Sequence, residues 1–158
     1  MNPRDSAEQM SMVHIKLKPK RFYFMNAMPL MVGGGTGFRK ALGNQAKKQG
    51  VYVIFSRTGK AIYVGKTSGD KMDFGIRLYR HARKAAAGKN RKVYNRLKET
   101  EDKARVSMID TEVIRKHFVT RNLKLGKRVL IGLMELALIQ YLEPELQREE
   151  WLSPQHKR

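Results

Sequence analysis

Residues 50–65 read GVYVIFSRTGKAIYVG, and this stretch decides the fold. Positions 51–55 are β-branched or aromatic, which is the pattern of a buried strand. Positions 57–60 place Gly59 among polar residues and predict a turn, and positions 61–64 form a second apolar run that ends at Gly65. Two apolar runs joined by a short glycine-containing turn predict a β-hairpin.

The segment after the hairpin, residues 74–98, predicts two helices separated near Gly88. It contains nine Lys or Arg residues and no acid. The first helix has a predicted apolar face of Ile76, Tyr79, Ala82 and Ala86, and a basic face of Arg77, Arg80, His81 and Lys84. A solvated helix face usually mixes charge signs, so the basic face is predicted to meet phosphate groups.

A second helix-forming segment lies late in the chain. Residues 105–119 predict one or two strands, and a basic loop then leads into a helix over residues 127–142 that Pro144 stops. This helix is apolar almost all round and is predicted to lie in the core. Glu135 is the only charge between residues 129 and 142. A buried carboxylate needs a cation, a metal ion or hydrogen-bond donors. An ion pair with an arginine and a Mg²⁺ site both meet that need, and the helix alone slightly favours the ion pair.

The charge balance is far from neutral, because 33 Lys and Arg residues stand against 14 acids and give a formal charge of +19. Such a field favours a polyanionic partner, of which nucleic acid is the commonest. An acidic membrane surface is the weaker alternative, since no polybasic run lies beside an amphipathic helix. The absence of cysteine excludes disulfides, thiolate zinc sites and cysteine nucleophiles.

Neither end of the chain nor its longest apolar run indicates a membrane anchor. Residues 129–142 are shorter than the roughly 20 residues that cross a bilayer. Residues 1–9 lack the apolar core of a signal peptide. We therefore expect an intracellular, cytoplasmic protein.

The first 49 residues are basic and irregular in pattern, and they include the glycine-rich stretch 33–37. This stretch invites comparison with a phosphate-binding loop, but Phe38 follows Gly37 and the Gly-Lys-Ser/Thr ending is absent. The favoured interpretation is a flexible connector before a short helix that ends near Gly43 or Gly50.

The hairpin begins with Gly50-Val51-Tyr52 and ends with Tyr63-Val64-Gly65. This pair resembles the motif that names the GIY-YIG nucleases, with valine in place of each isoleucine. Arg77 and His81, one helical turn apart, resemble the arginine and histidine of the family's first helix.

Later residues continue the resemblance in the family's order, so that it spans residues 50–147. Asn90 stands where many members carry a polar residue before the second helix. Glu135 is similar to the metal-binding glutamate of a late helix, and residues 144–147 resemble a closing Pro-x-x-Asn element. Gln147 stands where Asn is typical; it keeps the amide but adds a methylene, which leaves its supporting hydrogen bond open.

The resemblance implies an α+β fold with a small, mostly antiparallel central sheet of about three strands flanked by helices. Three regions are predicted on this basis: a basic N-terminal extension that contacts DNA (1–49), a nuclease domain (50–147) and a polar C-terminal tail (148–158). Trp151, in the tail, is a candidate to pack back onto the domain.

The resemblance also implies a metal-dependent DNA endonuclease. One Mg²⁺ or Mn²⁺ ion per active site is expected on Glu135, and Arg77 would stabilise phosphate oxygens with its planar fork of donors. Tyr52 and Tyr63 would hold or deprotonate the attacking water, and we favour Tyr52 as the base. The cationic neighbours that such a base requires would be His81 and Lys66. The predicted nucleic-acid contacts are Lys66, Arg80, Lys84, Asn90, Arg91 and Lys92, and the predicted supporting residues are Gly65 and Gln147.

The preferred role is a restriction-like or mobile-element (homing-like) nuclease, because the residues added to the domain lie before the hairpin. Nucleases of repair or toxin type are alternatives, and a non-catalytic basic nucleic-acid-binding protein is the rival from another class. Double-stranded DNA is expected as the substrate rather than single-stranded DNA. One active site cuts one strand, so double-strand cleavage would require a homodimer on DNA or two successive visits.

Overall fold

The computed structural model describes residues 11–147, and the predictions for the tail and for Trp151 lie outside the described residues. Thirteen elements follow one another along this part of the chain: β1 Met12–Ile15, α1 Lys20–Met25, β2 Met28–Pro29, α2 Phe38–Ala41, a 3-10 helix Gly43–Lys47, β3 Gly50–Phe55, β4 Ala61–Thr67, α3 Phe74–Ala82, α4 Lys89–Lys98, β5 Arg105–Asp110, α5 Thr111–His117, β6 Phe118–Arg121 and α6 Lys127–Leu142. None of these helices is long and apolar enough to cross a membrane.

The predicted hairpin is confirmed as β3 and β4, which lie in a sheet of order β2-β5-β3-β4. Each pairing in this sheet is antiparallel. The sheet has four strands rather than about three. The additional strand is the two-residue β2, which pairs with the outer edge of β5 through Met28 and Val106. A separate two-stranded sheet joins β1 to β6. The fold is therefore α+β with antiparallel sheets flanked by helices, as predicted.

Strand β3 is buried on both of its faces, which explains its continuous apolar run. Val51 and Val53 face a core shared with α5 and α6, while Tyr52 and Ile54 face a core shared with α3 and α4. The alternation of side chains along the strand thus places Tyr52 beneath α3. This placement decides the geometry of the site described below.

The interpretation of residues 105–119 is partly wrong, because a helix separates the two strands. Asp110 ends β5, and its carboxylate accepts a hydrogen bond from the Val113 N–H at 3.1 Å. This is the bond of a helix N-cap, and it starts α5 in spite of the β-branched residues that follow. Ile114 is consequently a buried helical residue of the core.

The segment before β3 is less irregular than its sequence indicates. It supplies buried side chains to both cores, namely Tyr23, Leu30, Phe38, Leu42 and Ala46. The glycine-rich stretch is docked on the end of α3 and is not a free connector. The Gly33 N–H donates to the Ala82 carbonyl at 2.7 Å, and a Cβ atom at Gly34 would lie 3.0 Å from the Arg83 Cα.

Two helix faces differ from their predicted orientation. Helix α3 ends at Ala82, so Lys84 and Ala86 of the predicted first helix lie beyond its end. Its buried side includes Leu78 and His81 as well as Ala82, whereas Ile76 and Tyr79 of the predicted apolar face are not buried. The sheet below α3 selects this side, because His81 meets the Tyr52 hydroxyl there.

Helix α6 packs against the core as predicted, but it buries one side only, although its sequence is apolar almost all round. Its inner side carries Leu130, Met134 and Leu138, whereas Val129 and Leu136 are exposed. Glu135 lies between the two sides, at the edge of a cleft.

Candidate active site

The structure brings most of the predicted catalytic residues to one cleft of about 380 Å³. The cleft lies between β4, α3, α4 and α6. Tyr63, Arg77 and Glu135 line it, together with Gly65, Lys66, Lys92 and Gln147 from the predicted set and with Lys89. Side chains far apart in sequence therefore face one space, in which a phosphodiester group could be held.

Tyr52 and His81 lie beneath the cleft and are fully buried. The Tyr52 hydroxyl and the His81 Nε2 atom are 2.6 Å apart. Burial, helped by the nearby Arg77 charge, lowers the pKa of His81 to about 3, so the imidazole is neutral at physiological pH. Burial also raises the pKa of Tyr52 well above its usual range, in spite of the opposing effect of Arg77. Both groups are therefore uncharged.

This geometry disagrees with two expectations from the sequence. Tyr52 is fully buried and does not line the cleft, which argues against it as the base that meets a water molecule. His81 is neutral, so it does not supply the cationic neighbour that was expected. Tyr63 is the tyrosine that lines the cleft. Its ring centroid lies 6.3 Å from that of Tyr52 and 5.1 Å from that of His81, so the buried pair supports it from below.

Gly65 is required by the position of Tyr52. The two residues face each other across β3 and β4, and a Cβ atom at position 65 would overlap the Tyr52 phenol oxygen. Gly50, at the start of β3, has a similar constraint, since a Cβ atom there would overlap the carbonyl oxygen of Ile109. Steric contacts therefore explain why glycine occupies positions 50 and 65 in this chain.

Arg77 connects the buried layer to the cleft. It lies on α3, whose first turn is capped by the Asp73 carboxylate, which accepts from the Ile76 N–H at 2.9 Å. The half-buried guanidinium interacts with the hydroxyl groups of both Tyr52 and Tyr63. Its buried Nε atom has no hydrogen-bond partner among residues 11–147, and the planar fork of guanidinium donors suits a phosphate group.

Glu135 faces the cleft from α6, with 19% of its side chain exposed. Burial raises its pKa, and the charges of Lys66 and Arg77 oppose this shift. The Lys66 Nζ atom is 3.9 Å from the carboxylate, which is a long ion pair. Neither a close arginine partner nor, within residues 11–147, a cluster of three or more His or acidic residues accompanies Glu135. The carboxylate therefore has a lone position in an open, cation-rich cleft.

Gln147 holds the edge of β4. Its Nε2 atom donates to the Val64 carbonyl at 2.7 Å, and its Oε1 atom accepts from the Val64 N–H at 2.8 Å. The amide thereby extends the sheet by one pairing beside the motif residues. The additional methylene of glutamine, which left this hydrogen bond open in the sequence, does not prevent either contact.

The predicted nucleic-acid contacts do not form a single group. Lys66 and Lys92 line the cleft, whereas Arg80 lines a separate groove on the other side of α3. Arg91 donates to the Lys84 carbonyl at 2.8 Å and lies over the Tyr94 ring. Lys84 and Asn90, which lie in and after the segment between α3 and α4, do not line the cleft.

Lys89 was missed from the sequence although it lines the cleft. It is the first residue of α4 and lies three positions before Lys92. Residues with this spacing share one helix face, so periodicity from the predicted helix start could have identified it.

Comparison with known proteins gives one match. The family model of the GIY-YIG catalytic domain matches residues 48–127, which is half of the chain. No curated protein and no solved structure matches. The matched segment contains both motif tyrosines and α3, and the fold around them is the one that the resemblance implied. The chain therefore belongs to the GIY-YIG nuclease superfamily, whose members act on nucleic acid.

Proposed function

We propose that this protein is a divalent-metal-dependent endodeoxyribonuclease whose active site is the cleft between β4, α3, α4 and α6. The observation that carries the proposal is the placement of Arg77. Its side chain interacts with both motif tyrosines and lines the same cleft as the lone carboxylate of Glu135. A positive fork opposite a single acid is an arrangement that suits a phosphodiester and a hard cation together.

The substrate phosphate is bound by the cations of the cleft. Arg77 contacts non-bridging oxygens of the scissile phosphate, where charge increases as water adds to phosphorus. Lys89 and Lys92 line the same cleft from α4 and contact the neighbouring phosphates. The formal charge of +19 raises the local concentration of a polyanionic strand around this site.

Tyr63 is the group that handles the attacking water. Its hydroxyl reaches the cleft and interacts with Arg77, whose charge stabilises a phenolate. The water oxygen attacks phosphorus, its proton passes to the Tyr63 oxygen, and the bond from phosphorus to the 3′ oxygen breaks. Solvent returns a proton to the leaving oxygen. Tyr52 and His81 act as positioning residues that hold Tyr63 and Arg77 in place.

Glu135 fits the role of ligand for one Mg²⁺ or Mn²⁺ ion. Its carboxylate lines the cleft, no arginine forms an ion pair with it among residues 11–147, and the Lys66 Nζ atom is 3.9 Å away, too far for a close ion pair. Mg²⁺ commonly uses one or two carboxylates together with water and substrate phosphate. When bound, such an ion supplies Lewis-acid stabilisation of the phosphate oxygens.

The expected biological context is restriction or mobile-element activity on double-stranded DNA inside the cell. One cleft cuts one strand, so cleavage of both strands would require a homodimer on DNA. Light scattering of the protein with a duplex tests for a dimer, and sequencing the ends of digested DNA reports specificity and strand number together.

A plasmid-nicking assay tests the activity itself. The parent should nick supercoiled DNA in Mg²⁺ or Mn²⁺ and not in EDTA. Glu135→Gln and Arg77→Gln should abolish nicking and still bind DNA in EDTA. Arg115→Gln, on the exposed face of α5, is a control for lost charge and should nick like the parent. Nicking by Glu135→Gln at the parent rate would refute the metal assignment, and binding without nicking by the parent would favour a non-catalytic binder.

A further inference from the structure

A second groove lies on the other side of α3, between this helix and the glycine-rich stretch 33–37. It has a volume of about 390 Å³ and is lined by Phe38, Ile76, Tyr79, Arg80 and Arg83, along with glycine backbone. The catalytic chemistry proposed above uses none of these residues. We propose that this groove binds an unpaired nucleotide of the substrate strand, with the base against the Tyr79 ring and the phosphates on Arg80 and Arg83.

The Tyr79 ring has the exposure and support that base stacking requires. It is 39% exposed, although it lies on a helix that buries its neighbour Leu78 completely. Phe38 contacts it edge to face, with ring centroids 5.6 Å apart and planes at 70°. A ring fixed in this way presents an ordered aromatic surface, and every nucleobase has a face that can stack on it.

The two arginines at the rim have no partners of opposite charge. Arg80 and Arg83 are exposed, and no ion pair involves either of them within residues 11–147. By contrast, Arg39, which also borders the groove, is held by the Asp73 carboxylate at 2.6 and 3.1 Å. Two unpaired guanidinium groups beside an apolar floor match a nucleotide, which combines an anionic phosphate with a flat base.

The opposite wall is backbone, because the glycine stretch approaches α3 closely. A Cβ atom at Gly34 would lie 3.0 Å from a ring carbon of Tyr79, and the φ of +63° at this residue also favours glycine. At Gly37, which lines the groove, a Cβ atom would meet nothing within 4 Å. Gly34 thus permits the close approach to α3, while Gly37 adopts a φ of +85° that favours glycine and borders open space.

The position of the groove relative to the cleft connects it to the proposed activity, on which this inference rests. Arg77 faces the cleft, whereas Arg80, three residues later on α3, lines the groove. A helix with its side chains is roughly 10 Å across, so a strand could reach both places within two or three nucleotides. A paired duplex offers base edges and phosphates but no free base face, so the apolar floor favours an unpaired nucleotide.

Fluorescence anisotropy in EDTA tests the proposal with two labelled duplexes that carry the same short single-stranded extension. One extension has thymine bases and the other has abasic sites, so that the number of phosphates is equal. The parent should bind the thymine extension about tenfold more tightly. Tyr79→Leu should remove this difference and Tyr79→Phe should keep it. Arg80→Gln should weaken binding of both ligands, unlike Arg115→Gln.

A second measurement uses the parent alone and does not depend on the folding of a variant. An extension that contains iodouracil should cross-link to Tyr79 under ultraviolet light, as located by mass spectrometry. Equal affinity for the thymine and abasic extensions, or a preference that Tyr79→Leu retains, would overturn the proposal.

Plasmid nicking by the same preparation separates this inference from the proposed function. Nicking without a preference for the thymine extension would reject the groove alone. A preference that depends on Tyr79 in a protein that does not nick would reject the nuclease activity and retain the groove.

Discussion

Replacing each motif tyrosine by phenylalanine distinguishes the structural role of buried Tyr52 from the proposed catalytic role of Tyr63 in the cleft. Tyr52→Phe removes the hydroxyl that lies 2.6 Å from the His81 Nε2 atom. The His81 Nδ1 atom already lacks a hydrogen-bond partner among residues 11–147, so both ring nitrogens would then be buried and unpaired. An unsatisfied buried polar group costs about 1–3 kcal/mol. For a domain of this size, a loss of about 2 kcal/mol lowers the Tm by roughly 4–8 °C.

Tyr63→Phe should have the opposite profile. Its hydroxyl faces the cleft, where water can replace its contacts, so the Tm should stay close to that of the parent. Loss of a positioned proton acceptor should reduce kcat by about 10²–10⁴-fold. Tyr52→Phe should retain more of the rate, because it acts through Tyr63 and Arg77 and does not touch the water.

Thermal melting by circular dichroism and nicking rates at saturating DNA measure the two effects on the same samples. Tyr94→Phe is the matched control, since Tyr94 is buried outside the cleft and its hydroxyl forms no hydrogen bond within residues 11–147. It should melt and nick like the parent. The reasoning is refuted if Tyr52→Phe melts like the parent and loses more rate than Tyr63→Phe.

Three further predictions concern the frame around the cleft. Gly65→Ala forces a Cβ atom onto the Tyr52 phenol and should lower the unfolding free energy in urea by about 1–3 kcal/mol, whereas Gly69→Ala, whose Cβ would lie 3.8 Å from its nearest neighbour, should not. Gln147→Ala leaves one N–H and one C=O of β4 unpaired and should cost about 1–3 kcal/mol in the same assay, with no change if the pairing is dispensable. Because burial raises the pKa of Glu135, its ionisation opposes folding of the metal-free protein above the unfolded-state pKa. Glu135→Gln should therefore have a higher Tm than the parent at neutral pH, and this gain should vanish as the pH falls below the unfolded-state pKa of the carboxyl group. Mg²⁺ should raise the Tm of the parent only. A parent that has the higher Tm at neutral pH without metal contradicts this prediction.

The hairpin was predictable because its information is local. An apolar run, a turn containing Gly59 and a second run give β3 and the start of β4, although β4 continues beyond Gly65 to Thr67. The start of α4 was predictable for a similar reason, since Gly88 adopts a φ of 58° that glycine favours, but α3 already ends at Ala82. The catalytic set required the order of several motifs together, because neither tyrosine nor Glu135 is distinctive alone.

What the sequence did not predict depends on tertiary contacts. The buried side of α3 differs from the predicted apolar face because His81 contacts the Tyr52 hydroxyl on strand β3. Helical periodicity carries no information about that contact. The helix α5 follows from one capping carboxylate, Asp110, which outweighs the β-branched residues after it. The segment before β3 contributes to the core through short elements, each too brief to produce a periodic pattern.

The two layers of the site give the two motif tyrosines different positions, with Tyr52 buried beneath the cleft and Tyr63 lining it. A charged histidine beneath the cleft would repel Arg77, but burial keeps His81 neutral and lets it bond to the Tyr52 hydroxyl. That hydroxyl interacts with Arg77 from below while Tyr63 does so within the cleft, and no carboxylate forms an ion pair with Arg77 among residues 11–147. Its positive charge is therefore not neutralised by an acidic side chain, and it remains available to an anion in the cleft. A carboxylate support would have held Arg77 as firmly and cancelled the charge that a phosphate requires.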